Sequence, residues 1–311
     1  MRPIVHIGYH KTATTWFQQV YYPNARNRRY VPRRGVREHL VNPSGLRFDA
    51  GAARGALGLE ADSIVCEEAL CGHYETGGLN GLLPKEMAHR IRDVAPSAQI
   101  VIFVRRQPDF IVASYLQYLR RGGTFKPKRF LFPGRWDKLA QRKPFKKPLF
   151  DIDHYDYCHL VGLYQRLFGS DAVHVFPFER LVEDLPGFTV TYARRLGLDV
   201  DADALPRQTP NVSFRRNTAR LARVINRLGA SDVAHRHCSL AMIPKGVRIR
   251  ALNLFNETVL AGDKVTPEWL FGEQTARWLG DYFREANTQL ERMTGLELAR
   301  YRYPLVADEM T

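Results

Sequence analysis

The chain has 311 residues, 45% hydrophobic and 25% charged, with a formal net charge of +14. This is the composition of a soluble globular protein able to bury a substantial single core, and no stretch approaches the roughly 20 apolar residues that span a bilayer. Four cysteines (Cys66, Cys71, Cys158 and Cys238) are too few for a disulfide framework in a chain this long, so free thiols in a reducing cytoplasm are expected.

In chain order, the β-branched run from Ile4 to Ile7 reads as a buried strand. It leads through a glycine-initiated, hydroxyl-rich loop, residues 8–15, into a short helix with Trp16, Phe17, Val20 and Tyr21 on its apolar positions, stopped at Pro23-Asn24. No apolar signal region precedes this strand. A polar, Arg- and Gly-rich connection runs to about residue 60. Ser63 to Cys66 is a second strand, followed by Glu67-Glu68 and a Gly-rich loop; Pro84 to Val94 is a helix. Ile100 to Val104 is the strongest strand, a continuous apolar run suited to the centre of a parallel sheet. Arg105-Arg106-Gln107-Pro108 then opens a helix, with Pro108 in its first turn and Gly122-Gly123 as its stop. Tyr155 to Phe168 is a helix, Ala172 to Phe176 a strand, and Phe188 to Leu196 a helix ended by Gly197. The C-terminal third reads as all-helical, closing in one long helix from Pro267 to about Thr294 with Trp269 and Trp278 on its inward stripe. Strands alternating with helices predict an α/β fold of three layers around a central parallel sheet, as one domain over residues 1–311.

The loop after the first strand carries the chemistry. A strand, a tight loop and a helix N-terminus present backbone N–H groups and a favourable dipole to an anion. Lys11 adds a cation, and Thr12, Thr14 and Thr15 add short donors. The P-loop of nucleoside-triphosphate enzymes requires glycine and lysine at positions 13 and 14, where this chain has Ala13 and Thr14. The order Gly8-Tyr9-His10-Lys11-Thr12-Ala13-Thr14-Thr15 instead resembles the Gly-x-His-Lys-Thr-Gly-Thr-Thr loop of sulfotransferases. In that family the loop holds the 5′-phosphosulfate of 3′-phosphoadenosine 5′-phosphosulfate (PAPS). Ala13 departs from the family's glycine; the expectation is a helical backbone there, which alanine tolerates.

A second element extends the resemblance. Arg106-x-Pro108 with Ser114 eight residues after the arginine is similar to the Arg-x-Pro…Ser element of sulfotransferases, which binds the donor's 3′-phosphate. A guanidinium suits phosphate on physical grounds as well. Asn211-Val212-Ser213, followed by Arg215-Arg216, resembles an element of bacterial members in which an arginine closes over the nucleotide; surface charge is the alternative for both arginines. The resemblance implies the P-loop-like sulfotransferase fold, PAPS as co-substrate and no essential metal. It also points to a bacterial-type soluble enzyme, since the Golgi members carry an N-terminal anchor.

Sulfuryl transfer to a hydroxyl needs in-line positioning, charge stabilisation on the leaving group and a base. Lys11 is the expected leaving-group cation. Glu68 is the expected base, its strand-Cys66-Glu67-Glu68 context looking like the strand-Ser-Ser-Glu segment of bacterial members. Alternatively Glu68 or Glu67 only caps the following helix, and His10 is the rival base or lines the acceptor pocket. Neither Cys66, Cys71 and His73 nor His235, His237 and Cys238 has the spacing of a zinc site.

The positive charge is uneven: six arginines and no acid lie between Arg26 and Arg37, and eleven Lys/Arg against Asp137 lie between Arg120 and Leu149. Residues 120–150 are either a solvated loop or a basic, aromatic lid that attracts an anionic donor, acceptor or membrane surface. No nucleic-acid motif accompanies them. The expected acceptor is a hydroxyl of a glycan, lipid or small metabolite, with a carbohydrate or amphipathic molecule favoured. An ATP-dependent kinase and a non-catalytic basic module binding anionic polymers are the other readings. Oligomeric state is not legible.

Overall fold

The computed structural model describes residues 1–73, 77–132, 150–202, 204–206, 213–233 and 242–307. Its centre is a five-stranded sheet of β1 (Ile4–Gly8), β2 (Arg29–Tyr30), β3 (Ser63–Cys66), β4 (Gln99–Val104) and β5 (Val173–Pro177), in the order β2-β3-β1-β4-β5. Every pairing is parallel, with Val5 opposite Val65 and Ile100, and Ile102 opposite Val175. Side chains on a strand alternate between faces, and here both faces are apolar. Val5, Ile7, Val65, Ile100, Ile102, Val104, Val173 and Val175 pack into one core. Ile4, Ile64, Cys66, Val101, Phe103 and Phe176 pack into another. Burial on both sides is why β4 reads as a continuous apolar run, and it makes the molecule three-layered, as expected.

Helices cover the two faces. Leu82–Val94, Gln107–Arg120, Tyr157–Phe168 and the C-terminal helices lie over the first core, and the segment after the loop at 8–13 lies over the second with Leu185–Leu196. The chain leaves β1 for β2 and β3 on one side, then crosses to β4 and β5 on the other. β1 is thus the switch point, and the crevice at its carboxyl end is where ligands of such sheets bind.

Three expectations are corrected. The connection before residue 60 is not irregular: it holds the edge strand β2 and helical segments at Arg33–Val36, Arg37–Val41 and Ala50–Leu57. The long C-terminal helix is three helices, Pro267–Phe271, Glu273–Tyr282 and Arg284–Thr294. Gly272 at φ 87° turns the chain out of the first, and Phe283 interrupts the other two. Leu270, Leu279 and Leu290 are all buried, so the apolar period persists across breaks that periodicity alone does not register. Trp278 is 38% exposed and lies in tilted contact with Tyr282 and Phe132 rather than entering the core; Trp269 is half-buried against the first core.

Buried hydrogen bonds tie the C-terminal helices to the helix that follows β4. Gln107 Nε2 donates to Asn287 Oδ1 (2.5 Å) and Asn287 Nδ2 donates back to Gln107 Oε1 (3.1 Å), both residues being fully buried. This reciprocal amide pair joins the start of the Gln107–Arg120 helix to the last long helix. Among the described residues no helix is long and apolar enough to cross a membrane. Most of the basic stretch, 133–149, and Asn211, Val212, His235, His237 and Cys238 lie outside the described residues.

Candidate active site

The loop leaving β1 is shaped by three left-handed residues: Gly8 (φ 93°), Lys11 (φ 62°) and Ala13 (φ 64°). Gly8 is required sterically as well, since a Cβ there would sit 3.1 Å from the Glu68 Cα. Ala13 is therefore not helical, contrary to expectation. It is the residue before the Thr14–Trp16 turn, in the left-handed region that glycine adopts freely, at a steric cost of about 1 kcal/mol. The sign of φ alternates along Lys11, Thr12, Ala13 and Thr14, so successive N–H groups converge into an anion-binding nest. Among the described residues nothing accepts from the backbone N–H groups of Lys11, Thr12, Ala13, Thr14 or Thr15.

The loop is braced from within. Thr12 is fully buried and its hydroxyl donates to the Tyr9 carbonyl, so it shapes the loop instead of presenting a donor. Thr14 and Thr15 sit in the first helical turn, Thr14 buried and Thr15 half-buried. Ala13 O receives the N–H groups of Trp16 and Phe17. From β4, Arg105 Nη1 donates 2.9 Å to the Lys11 carbonyl, its guanidinium lying over the Phe178 ring. The Lys11 ammonium donates 2.6 Å to Gln117 Oε1 on the Gln107–Arg120 helix. Burial, with Arg120 and Arg105 acting in the same sense, brings the Lys11 pKa down to about 8, against an upward pull from Glu68.

Two carboxylates follow β3 with different roles. Glu67 is fully buried and accepts from Arg33 and Arg37 as well as from the Ala69 N–H, so it caps the turn Glu68–Cys71. Burial alone would raise its pKa, but the hydrogen bonds from the two arginines and Ala69 outweigh burial and hold it below the usual carboxylate range. Glu68 is partly exposed. One of its oxygens pairs with Arg33 and the other accepts from Gln18 Nε2 at 3.0 Å. The basic run at 26–37 thus supplies the counter-charges of this pair. Sequence reading missed that role, because nothing local in Arg33 or Arg37 shows which acid they will meet.

His10 lies between these groups. Its Nδ1 is 3.8 Å from the Cys71 Sγ and its ring 6.0 Å from that of His73. Burial pushes its pKa well below the ordinary imidazole range, and His73, His154, Lys11 and Arg33 add to the effect. The imidazole is therefore neutral near pH 7, the form able to take a proton.

Beside Arg105, a cavity of about 550 Å³ opens between the Gln107–Arg120 helix and the segments 213–215 and 262–265. Arg105, Arg215 and Lys264 line it with Asp109, Asp263, Leu116 and Phe214, a volume in the range of small-molecule sites. Arg215 thus joins Arg105 across a long sequence gap, and Lys264 is an additional cation that no motif signalled. Arg106 is half-buried, its Nε 2.6 Å from Asp109 Oδ2. Ser114 is fully buried with its hydroxyl 3.1 Å from the Tyr155 hydroxyl, on a different side of its helix from the cavity-lining Val112, Ala113 and Leu116. Among the described residues Cys66, Cys71 and His73 do not converge as metal ligands.

No family model and no curated protein matches the sequence. Among solved structures, the chain is similar to a sulfotransferase from Alicyclobacillus acidocaldarius, with 17% identity and a TM-score of 0.45 over 68% of this chain and 87% of that one. It is also similar to mouse sulfotransferase SULT7A1 complexed with PAP, with 12% identity and a TM-score of 0.41 over 96% and 87% of the two chains. A third is the sulfotransferase domain from the curacin biosynthetic pathway, with 8% identity and a TM-score of 0.38 over 98% and 99%. All three are sulfotransferases, and at these TM-scores the likenesses carry no functional weight of their own.

Proposed function

We propose that the chain is a PAPS-dependent sulfotransferase that moves a sulfuryl group to the hydroxyl of an acceptor. The observation that carries this reading is the run of five backbone N–H groups from Lys11 to Thr15, without acceptors among the described residues, converging beside the Lys11 ammonium and the Arg105 guanidinium. This is a cradle for a dianionic or more highly charged group. The residue order of the loop selects a phosphosulfate over a nucleoside triphosphate, and the cavity lined by Arg105, Arg215 and Lys264 suits the phosphorylated nucleoside.

In the reaction the acceptor oxygen attacks sulfur in line, the bond from sulfur to the bridging phosphate oxygen breaks, and adenosine 3′,5′-bisphosphate leaves with the electron pair. Lys11, released from Gln117, stabilises the charge developing on the leaving oxygen. The acceptor's proton goes to His10. Glu68 is less free to meet an acceptor in this arrangement, because both of its carboxylate oxygens are already engaged, one by Arg33 and the other by Gln18.

Calorimetry with adenosine 3′,5′-bisphosphate in EDTA tests the reading. The wild type should bind, and Lys11→Ala and Arg105→Ala should each bind tenfold or more weakly, as expected for a hydrogen bond to a charged group. Absence of binding, with magnesium-dependent ATP binding in its place, would show a kinase instead.

A further inference from the structure

The helix Arg216–Ile225 carries Arg216, Arg220 and Arg223 at i, i+4 and i+7, which puts three guanidinium groups on one face over about 10 Å. Arg216 is tied to Asp263 at 3.0 Å. Among the described residues no carboxylate pairs with Arg220 or Arg223. Beside them is a second cavity, of about 230 Å³, lined by Arg220, Arg223, Tyr115, Pro127 and Trp269, with no acid in its wall. The Tyr115 hydroxyl, lining the cavity with Arg223, donates to the Phe125 carbonyl at 2.8 Å. The guanidiniums of Arg216 and Arg220 lie 5.6 and 5.1 Å from the Trp269 ring centroid. The cavity is therefore cationic, and among the described residues no carboxylate offsets Arg220 and Arg223.

From this we infer that the cavity and the arginine face hold anionic substituents of a polymeric acceptor, an acidic polysaccharide bearing sulfate or carboxylate groups. The inference rests on the sulfotransferase reading, because that chemistry requires the acceptor to carry hydroxyls as well. One helix connects the two sites: Gln107–Arg120 presents Tyr115 to the cationic cavity and Gln117 to the Lys11 ammonium. Tyr115 and Gln117 are two positions apart and so lie on opposite sides of that helix, and a ligand held by the arginines reaches the reaction loop only by passing around it, which takes a polymer of several residues. Guanidiniums at successive turns suit repeated oxyanions. Single-stranded nucleic acid fits less well, since Trp269 is engaged by two guanidiniums and offers no open platform for base stacking. A flat bilayer does not reach Arg223, which is half-buried in the cavity wall.

The test is fluorescence anisotropy with a labelled heparin hexasaccharide at two salt concentrations. Arg220→Gln/Arg223→Gln should weaken binding about tenfold and flatten its salt dependence. The control Arg54→Gln/Arg194→Gln, which removes the same charge from exposed sites elsewhere, should do neither. With the hexasaccharide as acceptor the first double variant should raise KM and spare kcat. Equal effects of the two double variants would overturn the inference, leaving only net charge. So would binding to phosphatidylserine vesicles or oligo-dT with none to the hexasaccharide. Adenosine 3′,5′-bisphosphate titrated into the same variants separates the two claims. Normal nucleotide binding with unchanged hexasaccharide affinity overturns this inference alone, whereas no nucleotide binding even in wild type overturns the sulfotransferase reading and, with it, the assignment of the polysaccharide as acceptor.

Discussion

Ala13 holds a backbone conformation that glycine adopts freely and alanine does not. Ala13→Gly should therefore stabilise the protein by about 0.5–1 kcal/mol in urea unfolding, the released strain being offset in part by a more flexible unfolded chain. A neutral or destabilising result would mean that the left-handed geometry is relieved some other way. Glu67 predicts the opposite sign. It is a fully buried carboxylate between two arginines that are themselves half-exposed, so Glu67→Gln should cost about 2–4 kcal/mol, the range for an uncompensated partner discounted for solvent screening. Lys11 sets a pH limit. Its ammonium is the competent form and titrates at about 8, so kcat/KM for the donor should fall above pH 8. His10, whose proton affinity is depressed, should give no acid limb between pH 6 and 7.5. A fall in kcat/KM across that lower window would point to a base that is protonated there, and so away from His10.

At the level of elements, β1 combines a strand's apolar alternation with one buried imidazole. His6 packs among Phe17, Tyr22 and Phe103, its Nδ1 2.9 Å from the Tyr22 hydroxyl, and burial lowers its pKa to about 3. A histidine whose folded pKa is depressed contributes stability that is complete above its unfolded value near 6.5 and is lost as pH falls toward the folded one. At pH 5 the loss is roughly 2 kcal/mol for this group. The difference in unfolding free energy between pH 7.5 and 5 should shrink by about that amount in His6→Phe. An unchanged difference would place the acid sensitivity on His10, His154 and His174, whose pKa values are also lowered. The same strand shows what sequence can convey. β1, β3, β4 and β5 were legible because burial on both faces demands uninterrupted apolar runs, and the reaction loop because its chemistry is contiguous. β2 was not, since two residues, Arg29 and Tyr30, carry no periodicity. The pairing of Arg33 and Arg37 with Glu67 was not, because opposite charges recognise each other across any sequence distance. Ser114 shows the reverse limit, a motif residue whose spacing matches while its hydroxyl is buried against Tyr155.

Over the whole molecule, a net charge of +14 means that anionic ligands are drawn in before they are recognised. The association rate of adenosine 3′,5′-bisphosphate should drop several-fold between 50 and 300 mM salt, measured by stopped flow, while the dissociation rate changes little. A salt effect confined to dissociation would mean that steering plays no part. The buried Gln107–Asn287 pair makes the C-terminal helices continuous with the sheet, so unfolding should be one transition, and Asn287→Ala should cost about 1–3 kcal/mol by leaving amide groups unsatisfied. Two separable transitions would instead divide the chain into independent units.

The central place of β1 also fixes an order of assembly. β1 is flanked by β3 and β4, whose residues are synthesised about 60 and 95 positions later, and a parallel strand has no local partner to wait with. Until β4 arrives, Arg105 has no carbonyl of Lys11 to hold, and the Gln107–Arg120 helix that receives the ammonium does not exist. The growing chain therefore carries β1 with at least one edge open while about 95 further residues are made, an interval in which an apolar strand is exposed to misassembly and to chaperone capture.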